Sequence, residues 1–508
     1  VVLTFFVYAS ACLSGSWFQP MSPTFIIICV ILYSLVLFGV TFLTSRGADN
    51  ASYFVGNRSS RWYLVAYGMI GASLSGVTFM SVPGDVGKAS FSYFQMIMGY
   101  MLGYAFIALV LLPLYYRLNL TSIYTFLRHR LGLYSYRTGA FFFIISRVIG
   151  ASFRLYIVVN VLQLFVFDAW GVPFWLTVLA FILMILAYTF KGGVKTIVWT
   201  DSLQTTFMLL SLVLSVFLIS RELHLDIGGL FSMIRKSPMS DVFVGDWHSR
   251  TFFPKQFFGG MFIAIAMTGL DQEMMQKNIS CKSVGEAQKN MISFSVILLV
   301  VNFIFLCLGI LLYQYVQAKG LTIPQRTTDD LFPTVALKSL GSLSALFFII
   351  GLISAAYPSA DGALTALTAS FCIDFLNFEN RNEWSEKKKT NIRHAVHVGF
   401  AALLLLVIVV FRLINNEAVV KQLFRVANYT YGPLLGLFMF GLISKRSVKD
   451  RLVPAVCLLA PVLCYLVDSN SKVWFGGYQF GNELLILNGI LTFTGLYMVS
   501  SSKAMAAL

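Results

Sequence analysis

Apolar residues along this chain neither alternate with polar ones at the period of a strand nor mark a single stripe of a helix. They run nearly unbroken for about 20 residues at a time. Such runs occupy 24–44, 64–81, 92–115, 139–167, 173–190, 196–220, 255–275, 290–316, 343–373, 394–414, 421–442, 452–468 and 483–500. A hydrocarbon core about 30 Å thick is crossed by about 20 helical residues, so the pattern predicts roughly thirteen transmembrane helices. Runs of this length exclude a closed barrel, whose strands hold about ten alternating residues. The expected fold class is therefore an all-α polytopic membrane protein seated in a lipid bilayer. Residues 1–20 stand apart, because "MSPTFIIICVILYSL" begins only at Met21 and "VVLTF" lacks the basic start of a signal peptide. That stretch is read as an N-terminal extension or a start placed too early.

Composition agrees. Of 508 residues 58% are hydrophobic and 12% charged, against about 25% charged in soluble proteins. The net charge of +15 raises the question of a polyanionic partner. The basic residues, however, are spread over alternate loops: Arg46, Arg58 and Arg61; Arg117, Arg128, Arg130 and Arg137; Lys191 and Lys195; Lys277, Lys282 and Lys289; Arg381, Lys387, Lys388, Lys389 and Arg393; Lys445, Arg446, Lys449 and Arg451. That distribution is a topology signal, placing the N-terminus outside and the C-terminus in the cytoplasm of a plasma (inner) membrane protein, and not a nucleic-acid stripe. The seven cysteines show no CxxC spacing and read as small packing residues. His394 and His397 share a helix face at the inner boundary, which reads as a solvated helix end and not a transition-metal site. No GxSxG, HExxH or GxxxxGK[ST] occurs, so neither an enzyme nor a nucleotide-binding domain is expected.

Polar groups concentrate in a few spans. "GMIGASLSGVTFMSVPGD" (68–85) has low helix propensity where a lipid-buried backbone needs continuous hydrogen bonding. Two readings stand: a broken helix whose freed carbonyls hold a cation, or a small-residue helix interface. "GLISAAYPSADGALTALTASFCID" (351–374) places Ser359 and Asp361 beside Pro358, which frees the carbonyl of Ser354; such a hard oxygen cluster suits a small cation. Asp201 lies in "GGVKTIVWTDSLQTTFMLLSLVLSVFLIS" (192–220). An ionised carboxylate at the bilayer centre costs about 2.5–3.5 kcal/mol, so Asp201 and Asp361 each call for an ion or a partner. Salt bridges to Arg147 or Arg154, or protonation, are the competing explanations.

Four of these stretches resemble the sodium:solute symporters, the family of sodium-coupled glucose, proline, iodide and sialic-acid carriers. "GGVKTIVWTDSLQ" (192–204) is similar to the signature of their fifth core helix and "TGLDQEMMQKNISCKSVGEAQKN" (268–290) to the segment around the sixth. "GASLSGVTFMSVPG" (71–84) resembles the first core helix and "YTYGPLLGLFMFG" (429–441) the tenth. The resemblance implies a leucine-transporter-type 5+5 inverted repeat. Residues 21–508 then form one transporter domain: an extra helix at 24–44, repeats at 64–220 and 255–442, and two peripheral helices at 452–500. It also implies a sodium site built from carbonyls of Gly71, Leu74 and Ala355 with the Ser359 hydroxyl. Pro358 departs from the family, standing where a second hydroxyl is usual. Some members hold another sodium on the equivalent of Asp201, and here Asp361 lies within reach of that site.

Solute contacts expected on cavity-facing helices are Ser73, Ser75, Thr78, Gln95, Arg154, Asp271 and Gln272. Arg147 is read as snorkelling toward the inner surface. Arg154 lies about 22 Å along a helix beginning near 139, and a mid-membrane guanidinium suits a carboxylate solute. It equally suits neutralising Asp201 or Asp361. The expected function is sodium-coupled symport of a small organic solute by alternating access, with sodium as the coupling ion. A proton-coupled carrier of the same fold and a membrane-embedded substrate sensor are the alternatives, although "SSKAMAAL" after 500 offers no signalling domain.

Overall fold

The computed structural model describes residues 23–44, 58–322, 327–381, 383–415 and 417–504. The expectation about Met21, Arg46 in its loop and Cys12 lie outside them. Among the described residues nine helices are long and apolar enough to cross a membrane. A bent pair makes a tenth span, and two shorter apolar helices, Phe174–Thr189 and Leu484–Met498, accompany them. The helices that matter here are α1 (Pro23–Thr44), α2 (Trp62–Ser73), α3 (Gly76–Ala89), α4 (Ser92–Phe106), α5 (Leu133–Leu162), α6 (Phe174–Glu222), α7 (Phe253–Ala264), α8 (Gln272–Ile279), α9 (Val284–Ala318), α10 (Gly341–Ser370), α11 (Glu386–Ile414) and α12 (Val419–Ile443).

Two breaks organise the interior. The first separates α2 from α3, bent 55° across Leu74 and Ser75, both in non-helical conformations. Thr205 on α6 contributes to the unwinding. Its hydroxyl accepts the Gly71 N–H at 3.0 Å and reaches the Tyr67 and Asp201 carbonyls at 3.1 and 2.8 Å, so a side chain intrudes into the helical ladder. A Cβ on residue 71 would collide with that hydroxyl, which is why glycine stands there. The second break falls in the expected 255–275 span, where α7 passes through a π-helical turn (Ile265–Gly269) and then leaves helical geometry at Leu270 and Asp271. The two breaks fall at the starts of the two repeats that the family resemblance implies.

The chain from Phe174 to Glu222 is assigned as one helical run, where a loop carrying Lys191 and Lys195 was expected. Its two halves nevertheless travel in opposite directions. Along the first, Phe181 stacks near Tyr357, Tyr188 reaches Asp361, and Thr189 reaches His397, which also meets Thr368. Along the second, Asp201 lies near Asp361 while Ser211 packs against Gly351. Contacts that climb α10 and then descend it require the run to fold back between Thr189 and Thr196. Pro358 does not interrupt α10, which is helical from Gly341 to Ser370 and buried throughout its central turns. His397 is likewise no solvated helix end: it is buried between Thr189 and Thr368, 2.9 Å from each hydroxyl.

Candidate functional site

A cavity of about 70 Å³ lies against the first break. Ser73, Ser75 and Thr78 line it from the broken helix, Tyr93, Tyr100 and Tyr104 from α4, Arg147 and Arg154 from α5, Thr268 from the second break and Asn302 from α9. A seven-residue spacing puts both arginines on one face of α5, but their environments differ. Arg147 is buried and pairs with Glu273 and, at 3.7 Å, with Asp271. It does not snorkel to the surface. Arg154 has no acidic partner among the described residues, and its Nε makes no hydrogen bond. Asn302 donates to the Leu298 carbonyl at 2.8 Å and leaves its own oxygen unpartnered.

Three expected solute contacts lie elsewhere. Gln95 donates to the carbonyls of Ser92 and Thr251 at 3.1 and 2.9 Å and accepts from the Val244 N–H, fastening α4 to the loop before α7. Asp271 caps α8, accepting the Glu273 and Met274 N–H groups, and receives the Tyr431 hydroxyl. Gln272 exchanges two hydrogen bonds with the backbone of Thr121 and Ile123. Local polar satisfaction consumes all three, and hydropathy cannot show that. Conversely, Asn302 was missed although it is an isolated amide within an otherwise apolar run, "FSVILLVVNFIFLCLGILL" (294–312).

Behind the cavity lies an ionic chain. Arg147 pairs with Glu273, Glu273 with Lys277 at 3.2 Å, and Lys277 with Asp201 at 2.7 Å, all four side chains being buried. Asp201 is thus paired with neither Arg147 nor Arg154. Its partner is Lys277, which we expected in an inner loop and which instead sits on the fully buried α8. Five polar or charged residues in eight positions look like a loop in sequence, and only packing against α10, α9 and α2 buries them. Gly362 permits that packing, because a Cβ there would strike the Glu273 carboxylate. Asp361 accepts from the Tyr188 hydroxyl at 2.8 Å and from the Gly362 N–H at 2.5 Å. One oxygen of Asp201, Oδ1, remains buried without a partner.

The expected sodium ligands lie on helices that pack together. Gly71 and Leu74 flank the first break, α2 and α3 pack on α10, and the Ser359 hydroxyl points to the Ala355 carbonyl at 3.5 Å. These elements bring carbonyls of an unwound backbone against a polar turn of a buried helix, an arrangement that suits a hard monovalent cation.

Comparison with known proteins agrees with this geometry. The sodium/sialic acid symporter NanT of Aliivibrio fischeri is 24% identical over 470 residues, covering 91% of each chain. A sodium-coupled monocarboxylate transporter 2 from Danio rerio is 25% identical over 87% of this chain and 71% of its own. Among solved structures, a sodium-coupled sialic acid symporter in a substrate-bound outward-open state superposes with a TM-score of 0.78 at 19% identity, covering 93% of this chain and 97% of that one. Mhp1, a nucleobase-cation-symport transporter, gives 0.52 at 14% identity, covering 89% and 94%. The fold is therefore the leucine-transporter-type 5+5 inverted repeat. The profile of the sodium:solute symporter family matches residues 53–450, and the chain belongs to that family.

Proposed function

We propose that this chain imports a small carboxylate solute together with sodium, by alternating access across the plasma membrane, with its N-terminus outside and its C-terminus in the cytoplasm. The family is one of carriers and not of enzymes. Arg154 carries the assignment of the solute. A guanidinium within the membrane is costly unless paired, and this one lines the cavity without an acidic partner among the described residues, while Arg147, on the same cavity wall, is paired with Glu273 and Asp271. A carboxylate is the group whose geometry a guanidinium fork matches with two parallel hydrogen bonds. Ser73, Ser75 and Thr78, with the tyrosines of α4 and Asn302, would receive the rest of the solute. The relatives named above carry acids, which supports this choice.

Sodium, as the co-transported ion, would be held by the carbonyls of Gly71, Leu74 and Ala355, the Ser359 hydroxyl, and the Asp201 and Asp361 carboxylates. Its binding would hold the broken helix against α10 and so complete the solute cavity. Linkage makes the effect mutual: solute tightens sodium by the factor by which sodium tightens solute. Residues 21–508 would act as a single transporter domain with inverted repeats at 64–220 and 255–442.

The experiment is thermal stability of the purified protein in sodium chloride against equal choline chloride, followed by a solute screen in sodium. A ligand at a hundredfold excess over its Kd stabilises by about 2.7 kcal/mol, a readily measured rise in melting temperature. Selective stabilisation by sodium, and further stabilisation by carboxylates that Arg154→Gln abolishes, supports the proposal. Absence of any sodium response contradicts it. Proton coupling is the second reading, resting on Asp361 as a buried carboxylate beside Asp201; it requires uptake in sodium-free medium that responds to pH.

A further inference from the structure

Gln204 lies three residues beyond Asp201 on α6 and therefore on the same helix face. It is fully buried, and both its amide nitrogen and its amide oxygen lack hydrogen-bond partners. Each unmade bond of a buried polar group costs about 1–3 kcal/mol, and most buried side-chain polar atoms in native proteins are paired. An amide left open at both ends in the polar layer of a membrane protein points to a ligand.

Helix register places it. Asp201, Gln204, Met208 and Ser211 form one buried stripe of α6. Ser211 packs on Gly351, and Asp201 lies in electrostatic range of Asp361, so this half of α6 runs antiparallel to α10. Ten residues back from Ser211 is Asp201, and ten residues on from Gly351 is Asp361. Seven residues from the same starting points bring Gln204 level with Pro358. Proline has no N–H to offer the carbonyl one turn earlier, so Ser354 presents a backbone oxygen free of its helical bond. The Oδ1 atom of Asp201 is also unpartnered. Three oxygens without donors, those of Asp201 Oδ1, the Gln204 amide and the Ser354 carbonyl, thus fall at neighbouring levels of these two helices, which is an arrangement that attracts a cation.

We infer that Gln204 is a ligand of the coupling cation, its amide oxygen joining those of Asp201 and the Pro358 turn in a site for a hard monovalent ion. An amide carbonyl is a hard oxygen donor of the kind alkali and alkaline-earth ions accept. The amide nitrogen then remains free to donate to a carboxylate in the same layer, which fixes the orientation of the side chain. The inference rests on the sodium coupling proposed above.

The test uses the full-length protein and sodium ion itself as the probe. Melting temperature is titrated with sodium chloride at constant ionic strength, balanced by choline chloride, for wild type, Gln204→Leu and Gln204→Asn. Gln204→Leu is expected to raise the half-saturating sodium concentration at least tenfold. Gln204→Asn retains the amide but withdraws it by one methylene, so its sodium response must weaken as well. A purely structural role would lower the melting temperature equally in sodium and choline and leave the half-saturating concentration unchanged. That result in either variant, with a responsive wild type, overturns the ligand assignment alone. A wild type that ignores sodium overturns the sodium coupling and this inference together.

Discussion

Two clusters of intramembrane charge lie side by side in this protein and behave differently. Around the cavity, Arg154 keeps a guanidinium without an acidic partner. Beside it Arg147, on the same cavity wall, leads inward through Glu273 and Lys277 to Asp201 in a chain in which every charge touches its opposite. Composition alone does not distinguish them, since each is a set of charged residues in apolar surroundings. What separates them is satisfaction. A buried pair of opposite charges offsets part of its own desolvation and stands by itself, whereas a lone buried charge awaits a partner from outside. The unpaired group is therefore the one to assign to solute, and the paired chain is the one to assign to the framework that holds the solute site.

Removing the lone charge should produce the largest effect. Arg154→Gln is expected to reduce uptake of carboxylate solutes by about a hundredfold or more, the loss of a charge-assisted bidentate contact worth roughly 3 kcal/mol. Melting temperature in the absence of solute should hold or rise, because an uncompensated intramembrane charge has gone. Uptake into proteoliposomes and thermal stability measure the two sides. Loss of stability comparable to that of a core mutation would show that Arg154 has a hidden structural partner, and the contrast between the clusters would fail.

Breaking the closed chain should do the reverse, acting on stability before specificity. Lys277→Met leaves Asp201 and Glu273 facing each other without their common cation, and removal of one partner from a buried pair costs about 3–5 kcal/mol. Adding Asp201→Asn to it should recover part of that loss, since the orphaned carboxylate is neutralised. A double-mutant cycle on melting temperature measures the coupling. Additive losses would mean that the pair contributes nothing jointly. Gly362→Ala probes the same chain sterically, by driving a methyl group into the Glu273 carboxylate; a cost of about 1–3 kcal/mol is expected, read as a lowered melting temperature in any salt.

The membrane class, the two half-helices of the first core span and the interest of Asp201, Asp361 and Arg154 were all legible in the residues. Low helix propensity around Gly71 and Ser75 predicts a break because a backbone in lipid has no other donor to turn to. Gln95, Asp271 and Gln272 were misjudged for one common reason: a polar side chain in a cavity helix can be spent on a loop carbonyl or on a helix cap, and the partner lies far along the chain. Lys277 hides differently. Its segment, "QEMMQKNI", is too polar to look buried, and the carboxylates that make burial tolerable come from α6 and from its own helix. The reversal inside α6 is marked by Gly192 and Gly193 in sequence, while its consequence, two antiparallel passes against one face of α10, is visible only in three dimensions.

An exposed ion pair tests the comparison at its weakest point. Lys421 on α12 meets Asp85 on α3 at 2.9 Å, joining two helices that also line the cavity, but the lysine side chain is 48% exposed. Solvent and salt screen such a pair, and exposed bridges contribute about 0–1 kcal/mol. Lys421→Ala should therefore change the melting temperature little, and what change there is should fade as ionic strength rises. The ionic chain behind the cavity is shielded from solvent and should keep its contribution at the same ionic strength. If the Lys421→Ala effect instead persisted undiminished in high salt, exposure would not be what sets the worth of these charges, and pairing would lose its value as the criterion that singles out Arg154.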